Sequence, residues 1–181
     1  MKHLQSYNES LRDKMTGKTK EEIKSALGDY EKLPPYEKVI KGIKYYTTWL
    51  IDQAFEEIKP QGFNDMSLNY FLMQAVMSGD NDIVKNILGH GATINNEENR
   101  GYLLSGALDV GSVEIMKTLI EHGANIDHMD FHTNKLYQMM DYDDRYDVIK
   151  YIIDNSPKTK SHVENTIGDL EDDLEKMKKF L

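Results

Sequence analysis

Histidines and carboxylates are the residues of this chain whose types and spacing could do chemistry. His128-x-x-x-His132, with Asp127 and Asp130 beside them, gathers oxygen and nitrogen donors of the kind that ligate a metal. His90 and His122 each stand before Gly-Ala and are the other candidates for catalysis or metal binding. Asp143-Asp144 is a carboxylate pair in a predicted turn, where solvation is its expected state. The motifs that would give such residues a reaction are missing: there is no Gly-rich phosphate loop, no Gly-x-Ser-x-Gly elbow and no His-Glu-x-x-His. The chain has no cysteine, which removes thiolate metal sites, disulfides and cysteine nucleophiles. Nothing in these patterns points to an enzyme, a cofactor or a resident metal.

The elements that hold these residues are repeated. Asn81-Asp-Ile-Val-Lys-Asn-Ile-Leu-Gly-His-Gly-Ala-Thr-Ile-Asn95 and Ser112-Val-Glu-Ile-Met-Lys-Thr-Leu-Ile-Glu-His-Gly-Ala-Asn-Ile126 nearly match, with His-Gly-Ala recurring 32 positions on. A third copy begins at Tyr146, and a weaker opening copy at Trp49. Each carries an apolar quartet at i, i+1, i+4 and i+5: Leu50, Ile51, Ala54, Phe55; Ile83, Val84, Ile87, Leu88; Ile115, Met116, Leu119, Ile120; Val148, Ile149, Ile152, Ile153. That spacing is helical, with a stripe wide enough to touch two neighbouring layers. Lys85, Lys117 and Lys150 follow the leading pairs and belong on the wet face. An upstream helix precedes each copy. Ala75 and Ala107 sit where it must approach its neighbour, Gly42 takes that place in the opening copy, and Met140 takes it in the third. Gly79 and Gly111 suit a left-handed helix end. Asp144 stands there in the third copy, which is expected to be locally irregular.

A period of 32–33 residues with paired helices resembles the ankyrin repeat, over about residues 36–156. The second helix followed by His-Gly-Ala-x-Ile-Asn/Asp is the strongest matching motif, and Asp65, Glu97 and Asp130 fill the family's opening acidic position. The chain departs from the family's Thr-Pro-Leu-His turn: the matching positions read Tyr70-Phe71-Leu72-Met73, Tyr102-Leu103-Leu104-Ser105 and Lys135-Leu136-Tyr137-Gln138. Without that proline and histidine the array is expected to be less rigid than a consensus one.

The resemblance implies an all-α solenoid of three to four repeats with short β-hairpin loops. It implies that His90 and His122 end the second helix and bond local backbone, and that His128 and His132 lie on a hairpin that keeps them apart. It also implies a protein partner held on a concave surface made by hairpin tips and inner-helix ends. At the tips stand Met66, Ser67, Asn69, Glu98, Asn99, Gly101, Phe131, His132 and Asn134; at the helix ends stand Tyr45, Met77, Asp109 and Tyr142. Exposed Met, Phe and Tyr ringed by acids would suit a partner with an apolar patch and a basic rim. Packing of some of these residues on each other or under the flanks is the competing reading.

Residues 1–35 read as a separate helical leader and linker. Asn8 can cap a short helix through Met15. Thr19-x-x-Glu22 is a capping box opening a helix from Lys20 to Leu27, which Gly28 ends. Pro34-Pro35 reads as an extended linker. The segment Met1–Thr16 resembles the leaders of ankyrin-type proteins of large tailed bacteriophages, which implies a viral protein acting on a host or defence factor. Residues 157–181 carry Val163, Ile167, Leu170, Leu174, Met177 and Leu181 at spacings of 4, 3, 4, 3 and 4, a heptad seam. Two readings stay open for this helix: a cap across the end of the third repeat, or a self-association element that would make the protein a structural or assembly component.

A net charge of -9 disfavours nucleic acid and anionic membrane surfaces as partners. No apolar run approaches the roughly 18 residues needed to span a bilayer, and the first ten residues lack a secretory apolar core. The expected setting is the cytoplasm, of the host if the protein is viral.

Overall fold

The computed structural model describes residues 19–59, 61–94, 102–129 and 146–179. The elements are α1 (Lys20–Leu27), a 3-10 turn (Tyr30–Lys32), α2 (Pro35–Lys44), α3 (Thr48–Glu57), α4 (Asp65–Ser78), α5 (Asn81–Gly89), α6 (Tyr102–Asp109), α7 (Val113–Glu121), a 3-10 turn (Ile126–His128), α8 (Tyr146–Asn155) and α9 (Pro157–Lys178). No strand occurs among the described residues. The expected hairpins at residues 95–101 and 130–145 lie outside them, as do Asn8–Met15, Met140 and Asp144.

The helices form two layers. Inner helices α2, α4 and α6 pack side by side, and outer helices α3, α5, α7 and α8 pack in the same order behind them. The quartets read from the sequence make the seam between layers. Of the sixteen residues, fourteen are buried, and Ile120 and Ile153 are partly buried against the same core. Lys85, Lys117 and Lys150 are exposed, and Lys117 Nζ lies 5.5 Å from the centroid of the Tyr151 ring in the next outer helix.

Side chains begin the helices where the backbone would otherwise leave amides unpaired. Asn64 Oδ1 accepts from the Ser67 amide at 2.8 Å, Asp80 Oδ1 from Asp82 and Ile83, and Ser112 Oγ from Ile115. The His-Gly-Ala turn closes identically in both copies. Gly91 donates to the Leu88 carbonyl and Gly123 to Ile120, each at 2.9 Å, and the alanine that follows donates to Ile87 or Leu119. The motif recurs because it is the stop signal of the outer helix.

The opening repeat differs from its successors in three ways. Pro35 is the first residue of α2, with Pro34 extended before it; the pair does not make a linker, because a proline at the first helical position forfeits no hydrogen bond. Tyr46 occupies the left-handed turn (φ 55°) that Gly79 and Gly111 fill in later copies, and its ring packs against the core. Gly42 meets its neighbours more tightly than Ala75 or Ala107: a Cβ there would collide with Ile51 Cγ1 and lie 3.1 Å from the Thr47 carbonyl. Gly42→Ala is therefore expected to destabilise by about 1–3 kcal/mol, although alanine is the better helix former. Urea denaturation reads this, and an unchanged or raised midpoint would show that the α2–α3 contact yields.

The capping box at Thr19 is formed, with the Glu22 carboxylate 2.7 Å from the Thr19 amide. Helix α1 and the turn after it lie on the opening repeat. Ile23, Leu27 and Tyr30 bury Leu50, with Leu33, Tyr45 and Trp49 around them, and Tyr30 meets Trp49 edge-on at 5.4 Å. At the other end Ser156 is fully buried. Its Oγ donates to Asp127 Oδ1 at 2.7 Å and accepts from the Thr159 amide at 3.0 Å, fixing the start of α9 to the turn after α7.

Candidate functional site

The inner layer carries one surface on which large side chains meet water. Tyr36 stands in the first turn of α2, Tyr70 in the second turn of α4, and Tyr102 begins the described part of α6. All three are exposed, Tyr102 to 67%. Tyr36 and Tyr70 stack across the α2–α4 boundary with centroids 6.3 Å apart and planes 14° from parallel. Met66, 80% exposed, precedes Tyr70 by one turn on the same helix face. Met73 and Met77 continue that face towards α6, where their sulfurs lie beside Gly106. Glu37 and Asp65 are exposed next to Tyr36 and Met66.

A chain of rings supports this surface from below. Phe71 is fully buried, 4.9 Å from Tyr36 and 5.0 Å from Phe63. Phe63 meets Phe55 edge-on at 4.9 Å, and Phe55 stacks on His90 at 3.9 Å. Tyr36 and Tyr70 thus rest on rings that reach the outer layer.

The sites expected from the sequence fall in several places. Met66 and Asn69 do not sit at a hairpin tip; both lie within α4, because Asn64 caps that helix upstream of them. Asn69 is half-buried, and its amide oxygen is buried with no hydrogen-bond partner among the described residues. Tyr45 is also half-buried; it closes the cluster under α1, with Lys44 Nζ 5.6 Å from its ring centroid. Met77 is exposed and Asp109 half-buried at the ends of α4 and α6. Glu98, Asn99, Phe131, His132 and Tyr142 lie outside the described residues. The exposed Tyr36, Tyr70 and Tyr102 lie outside the positions expected from the sequence, although Tyr70 and Tyr102 recur 32 positions apart. That recurrence was the available signal.

The histidines serve the stack. His122 ends α7 with Nδ1 2.8 Å from the Thr118 carbonyl, the local bond expected. His90 differs: its Nε2 lies 2.7 Å from Asp52 Oδ1 on the preceding outer helix, which also accepts from Asn86 Nδ2 at 2.8 Å. This pair, and Thr118 donating to Asn81 Oδ1 at 2.8 Å, tie outer helices of successive repeats together. Asp127 is engaged by Ser156, and Asp130 and His132 lie outside the described residues. No group of three or more metal-ligating side chains gathers among the described residues, and no helix among them is long and apolar enough to cross a membrane.

The expected stripe on α9 divides. Val163 is partly buried against the core. Ile167, Leu170, Leu174 and Met177 are each at least half exposed, so only the first turns of α9 lie over the third repeat. Leu181 lies outside the described residues.

A two-layer stack of helix pairs at a 32–33-residue period defines a repeat protein of the helical solenoid class. The family model for ankyrin repeats, in three copies, matches residues 72–163, and the chain belongs to the ankyrin-repeat family. Its members are generally protein–protein interaction modules and typically non-enzymatic. No curated protein and no solved structure matches the chain.

Proposed function

We propose that this chain is a non-enzymatic module that binds one partner protein across its inner-helix face, the concave side of an ankyrin array. The observation that carries the reading is the exposure of Tyr36, Met66, Tyr70 and Tyr102 on three adjacent inner helices. Tyrosine offers a large, rigid contact surface with a polar tip at small entropic cost, the property favoured in binding surfaces. Glu37 and Asp65 flank these rings, and the net charge of -9 favours a partner whose apolar patch is rimmed by lysine or arginine. In this reading Met77 and Asp109 extend the surface, and Glu98, Asn99, Phe131, His132 and Tyr142 complete it. The leader's likeness to those of phage ankyrin proteins favours a host or defence protein as the partner, in the cytoplasm.

The test is capture of a partner from lysate by the full chain and by the Tyr70→Ala, Tyr102→Ala double variant. Capture is expected to fall at least tenfold while the circular dichroism spectrum stays unchanged, since central aromatic anchors are each worth about 2 kcal/mol or more. Undiminished capture by the double variant would remove the inner-helix face from the proposal.

A further inference from the structure

We propose that the free part of α9 pairs in parallel with the same helix of a second copy, making the chain a weak homodimer through its C-terminal end. Three observations carry this. First, the helix outruns its own support. Thr159 and Val163 anchor its start, while among the described residues nothing covers Ile167, Leu170, Leu174 or Met177. About twelve residues from Ile167 to Lys178 therefore stand as an amphipathic helix of about 18 Å. Such a length is marginal in water on its own, and Gly168 within it costs about 1 kcal/mol more relative to alanine.

Second, the uncovered residues alternate at the spacing of a two-stranded seam. With Ile167 and Leu174 at a, and Leu170 and Met177 at d, the flanking e positions are Glu171 and Lys178 and the flanking g position is Asp173. Third, the charges beside the seam select both the occupant and the direction. In a parallel, in-register pair Asp173 at g faces Lys178 at e of the second copy, and symmetry makes the contact twice. The antiparallel pairing that overlays the whole seam instead sets Glu171 beside Glu171 and Asp173 beside Asp173 of the other copy. Within the single helix these groups have only exposed partners three residues away, Lys176 for Asp173 and Glu175 for Lys178, which cost little to exchange. Acidic residues Asp169, Glu171, Asp172, Asp173 and Glu175 along the same stretch repel an anionic membrane or nucleic acid. A second copy is the occupant that matches both the seam and its charges.

Sedimentation velocity of the full chain over a hundredfold concentration range reads this directly. The mass is expected to rise from 20.9 kDa towards twice that value at the upper end, as befits a small interface. Leu170→Glu with Leu174→Glu is expected to hold the chain monomeric throughout, with a melting temperature equal to that of the native chain at concentrations where the latter is monomeric, because both side chains face water in the single chain. Asp173→Lys and Lys178→Asp should each weaken the dimer about tenfold, and the two together should restore it, since only a cross-helix pair is rebuilt by exchange. A monomer at every concentration overturns the proposal and assigns the seam to another occupant, the leader of the same chain included. A dimer that survives the double glutamate variant overturns it by placing the contact elsewhere. Failure of the charge exchange to rescue overturns the parallel pairing.

Discussion

Replacing Phe71 by alanine is expected to cost about 3–5 kcal/mol of stability, the largest loss of any single substitution considered for this chain. The ring is fully buried between the inner helices and touches Tyr36, Phe63 and Tyr70. Its removal leaves a cavity that Phe63 cannot fill, because that ring is held on its far side by Phe55, which is itself stacked on His90. The loss should appear in urea denaturation followed by circular dichroism. It should be accompanied by weaker partner capture even where the variant remains folded, since Tyr36 rests on the missing ring. A cost below about 1 kcal/mol would mean that these rings do not act as one packed unit.

The second large effect lies at Lys38. This lysine on α2 is only 2% exposed, and its ammonium donates to both carboxylate oxygens of Glu57 at 2.6 and 2.7 Å. Glu57 also accepts from Gln53 Nε2 at 2.8 Å. Removing Glu57 strands a buried cation, so Glu57→Ala is expected to destabilise by about 2–3 kcal/mol, less than for a fully enclosed pair because the Glu57 side chain is 35% exposed. Lys38→Met, which removes the charge and keeps the stem, should stay within about 1 kcal/mol of the native chain. The pair also sets a pH dependence. The hydrogen bond from Lys38 holds the Glu57 carboxyl below its ordinary range, against the opposing effect of burial. A carboxyl depressed on folding stabilises fully above its unfolded value, and that contribution is lost as pH falls through the folded value. Between those two values, in the acid range, the native chain should lose stability more steeply than Glu57→Gln. Parallel curves would show that the pair is not formed in solution.

Most of the fold could be read from periodicity. The quartets predicted their own burial because a helix repeats every 3.6 residues whatever it packs against. The capping box at Thr19 and the left-handed Gly79 and Gly111 were equally legible, since both depend on residues close in sequence. What escaped depends on how helices distant in sequence are set against one another. Asp52 and His90 are 38 positions apart and Lys38 and Glu57 are 19 apart; no local rule pairs them. Pro34 is extended as the sequence suggests while Pro35 opens α2; a proline pair signals a break as well as a start, and its sequence alone does not decide between them. The exposed tyrosines escaped for a related reason. Tyr70 and Tyr102 stand in a turn that departs from the Thr-Pro-Leu-His motif, and a departure from a motif does not say whether its replacement faces solvent.

The burial of Leu50 beneath Ile23, Leu27 and Tyr30 reaches beyond the stability of one repeat. A solenoid whose outermost quartet is bare can grow by duplication at its tip, one unit at a time. Here that tip is already roofed by residues with no place in the periodic register, and a newly added pair would have to evict them. A helix pair stacked on that side would in turn leave Ile23, Leu27 and Tyr30 without the apolar face they now cover.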